Sequence, residues 1–491
     1  MRGTSRCVSR RKLWFTSAVG GVAALALAGT AWSGEEGEAI KKDEVFKATA
    51  VVQGLGAQTI VSFDISFVDP TIHTYLLADR TNKAVQVVDT NTDTVTFTIK
   101  PIGADAFAGN IACATPPPAG ANDCKGPNAP ITTHDTGSTQ VWVTDGPTTA
   151  LGTGGSGVSK VKVFNGLSSN TPFKTISTGG ARRADEGCFD SKDHILLIAN
   201  DAEVPFPFIS FIASGGFSPA AKRYTVIGTI TMDGTVPKPQ GGLAAPPATN
   251  GIEQCQWDEE TGKFYLNIPE VNGPGDDTAP GATLVIDPTT MQIEKIWSIN
   301  HDDCAGPQGM AIGPSNQILL GCNAPSGNGK FSTVIINKNN GSKTKAVITK
   351  VLNNESGADE VWFNPDDGHY FLGRSGANVN GFQQLGVVDS KGKRADQSIP
   401  TSTAGATQIN AHSPAAIDHK VYFPIPGANA ANPNGTSTIC GDVIGGTAAD
   451  QLAANKQGCI PIFTAKEEHH GNGNGDDQGE DNNNQGDDKR E

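Results

Sequence analysis

Charge is scarce in this chain. Only 18% of its 491 residues are charged and 6% are aromatic, whereas Gly (59) and Pro (30) abound. Helical bundles and coiled coils do not carry so many breakers, and a collagen would carry them in strict period, which is absent. The remaining class is all-β and turn-rich, with length for two or three ordinary domains or one large β assembly. Basic surplus is also lacking: the net charge is −14, which excludes the positive footprint of a nucleic-acid binder. Catalytic signatures are missing too, with no G-x-S-x-G, no H-E-x-x-H and no EF-hand loop. There is no C-x-x-C and no C-x-x-C-H, so zinc ribbons, thioredoxin-like sites and covalent haem lack their signatures. Neither haem nor a nucleotide cofactor is expected, because the one G-x-G-x-x-G run, at Gly152–Gly157, sits in a loop with no helix after it.

What is present begins with a leader. Residues 1–33 hold five basic residues and no acid, followed by a small-residue apolar run from Ala18 to Ala31. That run is too short and Gly-rich for a membrane span, and Ala31-Trp32-Ser33 fits a cleavage site. The segment SRRKLWF at Ser9–Phe15 resembles a twin-arginine signal, with general secretion as the other route. The sequence therefore predicts an exported protein, periplasmic or extracellular, with no membrane span once the leader is gone. A short linker is expected at 34–44. Without the leader the chain stands at −19, of which the run from Lys466 to Glu491 supplies −6. Residues 465–491, rich in Gly, Asn and Asp, read as a disordered acidic tail.

The body repeats. HTYLLADRTNKAVQVVDTNTDTVTFTI from His73, the segments from Lys263 and Gln317, and HYFLGRSG from His369 share one plan of short alternating strands and polar turns. Aligned on the first-hairpin turn, Asp69, Asp135, Asp190, Asp258, Gly313, Asn364 and Asp418 form one column. Seven units of about fifty residues, each about four strands, describe a seven-bladed β-propeller over 45–464. The last unit is one strand short, and an orphan strand, VFKATAVVQ, lies at Val45–Gln53. Ring closure by this N-terminal strand removes the unpaired ends that an open stack would leave.

Export makes the eight cysteines beyond Cys7 a disulfide framework. The register sets Cys304 beside Cys322 in one hairpin and Cys188 near Cys255 on consecutive inner strands. Cys113 with Cys124, and Cys440 with Cys459, would each close a local loop.

VQVVDTNTDTV at Val85–Val95, preceded by YLLADRTNK, resembles the repeat of YVTN-type β-propellers within the lactonase-like seven-bladed superfamily. The resemblance covers residues 45–464 as architecture and implies fold far more than function.

Propellers bind ligands at the mouth of the central channel, where first strands begin and second strands end. Counting back from the turn column places Asp64, Asp185, Glu186, Glu253, Asp359, Glu360 and His412 there, with Asn200, Asn267, Asn323 and Arg374 at second-strand ends. Oxygen-rich clusters suit Ca²⁺ or Mg²⁺. Similarity to gluconolactonase-type propellers implies Glu186, Glu253, Asn200, Asn267 and Asn323 as ligands. The same Asp and Asn residues also suit loop caps that bond their own backbone. The sequence thus supports a monomeric scaffold that recognises an unidentified small molecule or protein. Its alternative is a divalent-metal-dependent lactonase, other hydrolase or lyase.

Overall fold

Each unit of the sequence period folds into a four-stranded antiparallel sheet, and seven such sheets follow one another. The computed structural model describes residues 44–111, 124–148, 158–234, 251–271, 277–325, 332–342, 345–353, 357–374, 382–403 and 411–467. The leader, the linker up to 43, Cys113, the Gly152–Gly157 loop and tail residues 468–491 lie outside them. The chain is a seven-bladed β-propeller. Its innermost strands are Ser66–Asp69, Pro130–Thr133, Gly187–Asp190, Cys255–Asp258, Ala305–Ile312, Ala358–Asn364 and Ala415–Ile417, in blades 1 to 7. Every residue of the expected turn column stands at the end of one of these strands or in the hairpin turn that follows it.

Blade 7 closes the ring as the sequence predicts. Its order from the channel outward is Ala415–Ile417, Lys420–Tyr422, Pro461–Glu467, and then the N-terminal strand Glu44–Val51. The last C-terminal strand runs to Glu467, three residues beyond the expected end of the propeller. The N-terminal strand pairs with it from Glu44↔Glu467 to Val51↔Pro461. Phe46 also packs edge-on against Phe371 of blade 6, ring centres 5.3 Å apart.

Two short helices, Ile439–Ile444 and Ala448–Gln457, were not expected and sit between the second and third strands of blade 7. The second starts at a capping box, in which Thr447 and Asp450 each satisfy the other's backbone N–H. Among the described residues no helix is long and apolar enough to cross a membrane.

The core lies between blades. Second strands such as TYLLAD at Thr74–Asp79 and ILLIAN at Ile195–Asn200 are buried along their whole length. Burial on both faces explains why they read as near-continuous apolar runs. Aromatic pairs cross the blade boundaries, with Tyr75 stacked on Tyr422 at 4.9 Å and Trp142 on Tyr224 at 5.7 Å. Five blades carry a register shift at the same place between third and fourth strands, at Val87/Val88, Phe211/Ile212, Val285/Ile286, Ile335/Ile336 and Val387/Val388. Such bulges sharpen the local twist of the outer hairpin.

Polar clamps at the hairpin-turn face join each blade to the next. Asp69 accepts from Thr132, and Asp135 from the Gly216 N–H and Ser214. Asp193 accepts from Thr289, and Asp258 from Lys338 at 2.7 Å. Gln317 donates to the Ser390 carbonyl, Asn364 to that of Asp418, and Lys420 to Asp93, which returns to blade 1. Residues expected to shape turns therefore also set the spacing of the ring.

Three of the expected disulfides are present. Cys188–Cys255, Cys304–Cys322 and Cys440–Cys459 have Cα separations of 5.9, 5.2 and 5.8 Å. The first crosses from blade 3 to blade 4. The fourth pairing involves Cys113, outside the described residues.

The Asp258–Lys338 clamp is buried, with side chains 6% and 4% exposed. Asp258→Ala leaves the buried Lys338 ammonium to Glu260 alone, a largely exposed carboxylate 2.9 Å away, and is expected to cost about 2 kcal/mol in denaturant unfolding. Adding Lys338→Met should recover part of that loss, whereas simple additivity would show that the pair is not a clamp.

Candidate functional site

The starts of the inner strands meet around a cavity of about 190 Å³. Blade 1 contributes Asp64 and Arg80, blade 3 Arg183, Asp185 and Glu186, and blade 4 Glu253. Gln308 and Asn323 come from blade 5, Asp359 and Glu360 from blade 6, and His412 from blade 7. Successive inner strands diverge from a common axis, so side chains at equivalent positions are driven together at this rim.

Two guanidinium groups hold the cluster. Arg80 bonds Asp64 and donates from Nε and Nη2 to Asn128 Oδ1 at 3.1 and 2.6 Å. Asn128 in turn donates to the Ala184 carbonyl, which fixes blade 1 against blade 3 across blade 2. Arg183 lies 2.8 Å from Asp185 and 2.6 Å from Asp201. Burial works against its charge, but the carboxylates of Asp185, Asp201 and Asp64 raise its pKa and keep it cationic.

Burial alone would raise Asp64, yet the charge of Arg80 and the hydrogen bond from His412 bring it down to about 2. His412 stacks on Phe63 at 5.5 Å, and its Nε2 is 3.5 Å from Asp64. Against burial, Asp64 and Asp359 raise the imidazole pKa.

The surplus carboxyls behave differently. Burial, with the charges of Asp64 and Asp359, pushes Glu186 up to about 7, against a hydrogen bond from Glu360. Glu360 is raised well above the usual range by burial and by Glu186, its hydrogen-bond partner. The two carboxyls thus oppose each other's ionisation, and Glu360 keeps its proton to the higher pH. Glu253 is raised well above the usual range by burial and by the charges of Asp201 and Asp359.

The sequence-predicted residues divide into two groups. Asp64, Asp185, Glu186, Glu253, Asn323, Asp359, Glu360 and His412 line one cavity. Asn200, Asn267 and Arg374 do not. Asn200 donates to the Phe208 carbonyl and Ser210 Oγ. Asn267 donates to the carbonyls of Gln308 and Gly309 in blade 5, and its Oδ1 accepts from Thr283. Arg374 donates within blade 6 to Gln384 Oε1 at 2.6 Å and Ser398 Oγ at 3.0 Å. Sequence reasoning missed Arg80 and Arg183. For Arg183 the signal was there, two residues before Asp185 in RAD at Arg183–Asp185; Arg80 follows Asp79, which bonds Asn82 and Gln86 instead of lining the cavity.

A Ca²⁺ or Mg²⁺ cage needs several ionised carboxylates converging on one point. Here two guanidinium groups in the lining already bond Asp64 and Asp185. Among the described residues, no group of three or more His, Cys, Asp or Glu is placed to hold a metal ion.

No protein-family model matches the sequence, and no curated protein matches it. Solved structures similar to it are propellers at low identity. The β-propeller domain of Cps50 (Swd1) from Myceliophteria thermophila is 8% identical, with 86% of this chain and 100% of that one covered and a TM-score of 0.49. The RRP9 WD40 repeats are 9% identical over 86% and 100%, with a TM-score of 0.48. A putative 6-phosphogluconolactonase from Bacteroides uniformis is 10% identical over 75% and 92%, with a TM-score of 0.41. Nothing about ligand or activity passes to this chain at that distance.

The raised Glu186 makes a signed prediction. A carboxyl whose pKa is higher folded than unfolded stabilises the fold fully below about pH 4.5, and that contribution is lost as pH rises through about 7. The difference corresponds to about 3 kcal/mol at most. Glu186→Gln should therefore raise the melting temperature above pH 7, and the gain should vanish near pH 4.5. A gain independent of pH would refute the assignment.

Proposed function

We propose that this protein is an exported β-propeller recognition scaffold of YVTN-like repeat type, and that the channel mouth binds a small organic cation. One observation carries the reading. Six carboxyls (Asp64, Asp185, Glu186, Glu253, Asp359, Glu360) line the cavity against three basic groups, Arg80, Arg183 and His412. The excess is negative and buried, where a charged guest interacts far more strongly than in water. An ammonium or guanidinium supplies donors to several carboxylates at once and displaces the protons they otherwise retain. The leader and the three disulfides support export. The β-propeller supplies the rigid frame, whose loop-bearing faces also suit a protein partner.

Binding should follow the protonation of the acids. Glu186, Glu253 and Glu360 must shed protons to accept a cation, so affinity should rise with pH through about 7. Calorimetric titration of the protein with propylamine at about pH 8 should give saturable binding that weakens at least tenfold at about pH 5. Loss of binding in Glu253→Gln is also expected. Saturable heat with calcium chloride and none with propylamine would contradict the reading and favour the metal-dependent hydrolase instead.

A further inference from the structure

Beyond the mouth, the channel changes character. One to four residues further along the inner strands lies a second cavity of about 290 Å³, whose lining is chiefly apolar. Its side chains include Phe67 from blade 1, Phe189 from blade 3, Trp257 from blade 4 and Trp362 from blade 6. Phe67 meets Trp362 edge to face at 6.0 Å, so rings from blades 1 and 6 touch across the ring of strands. The Cys188–Cys255 disulfide forms part of the same wall.

Two residues, Ile65 and Glu186, line both cavities. Glu186 is 5% exposed and stands where the polar mouth meets the aromatic chamber. Gln254 braces the wall between them. Its Oε1 accepts from the N–H groups of Met310 and Val361, and its Nε2 donates to the Val361 carbonyl, tying blade 4 to blades 5 and 6. The junction at Glu186 is therefore built from fixed backbone and not from mobile loops. Within the chamber wall, the indole Nε1 of Trp257 is buried and has no hydrogen-bond partner among the described residues.

We infer that the two cavities form one composite site for an organic cation with an aromatic body. The basic nitrogen pairs with Glu186 at the junction, and the ring occupies the chamber between Phe67, Trp257 and Trp362. The chemistry is complementary at both ends. Aromatic faces attract a desolvated cation through their quadrupole, and aromatic rings favour offset or edge contacts with a flat guest. The apolar walls do not suit a bare divalent metal, and the carboxyl junction does not suit an anion. This inference rests on the mouth reading above but goes further, because it assigns the apolar part of the ligand and the residues that select it.

The test uses 2-phenylethylamine against propylamine and the neutral 2-phenylethanol, titrated calorimetrically into the full protein at about pH 8. 2-Phenylethylamine should bind roughly thirtyfold more tightly than propylamine, the gain expected for burying the ring. Trp257→Leu and Phe67→Leu should each remove most of that gain and leave propylamine binding as it was. Phe67→Leu provides an independent reading should Trp257→Leu fail to fold, with far-UV circular dichroism as the check. If propylamine binds and 2-phenylethylamine binds no better, the composite site is overturned while the mouth reading stands. If 2-phenylethanol binds as tightly as the amine, Glu186 does not anchor the ligand and the inference is likewise overturned. If neither amine binds, both readings fall together.

Discussion

Everything distinctive in this protein depends on seven strands being made to start at one rim. A blade cannot choose its neighbours freely: its second strand is buried between two others, and its turn is clamped to the next turn by a polar pair. With the spacing fixed at the turn face by Asp69, Asp135, Asp258, Asn364 and Lys420, the inner strands arrive at the opposite face close together. Whatever they carry there shares one small volume. Six of those side chains are carboxyls, and burial strips them of hydration.

Three solutions to that crowding operate side by side. Asp64 is neutralised by Arg80 and His412, and so keeps its charge far below neutral pH. Asp185 and Asp201 share Arg183. Glu186 and Glu360 keep their protons to higher pH than ordinary glutamates. The guanidinium groups are themselves positioned by ordinary fold chemistry. Asn128 holds Arg80 in place, and the Asn128 amide is pinned to the backbone of the next blade. The electrostatics of the site and the packing of the ring are one set of bonds, which leaves the remaining carboxyls available to a guest that brings positive charge.

The fold was almost wholly legible in the sequence, because its signal is repetitive. Turn chemistry recurs at the column from Asp69 to Asp418, and a missing strand at one end with an orphan strand at the other leaves closure as the economical solution. The helices at Ile439–Ile444 and Ala448–Gln457 escaped this logic, since an insertion follows no period; only the Thr447–Asp450 capping box marked one of them. The site was half legible. Position along a strand predicts which residues reach the rim, and that brought Glu186, Glu253 and Glu360 together correctly. It does not predict where an amide spends its hydrogen bonds, so Asn200 and Asn267 looked like ligands although their donors go to backbone and hydroxyl oxygens. Nor does it weigh a long side chain entering from a flanking position, which is how Arg80 and Arg183 arrive.

The central claim is that the mouth is a carboxyl cluster braced by guanidinium groups and short of charge balance, in which Glu186 and Glu360 ionise only well above the ordinary glutamate range. Carbon-13 NMR titration of the glutamate side-chain carboxyls, assigned through Glu186→Gln and Glu360→Gln, tests it directly. The account predicts a Glu186 transition near pH 7 that moves up when Gln, a weaker donor than a carboxyl, replaces Glu360, with Glu360 itself titrating later. Independent transitions for both residues at the ordinary glutamate value near 4.5 would contradict it.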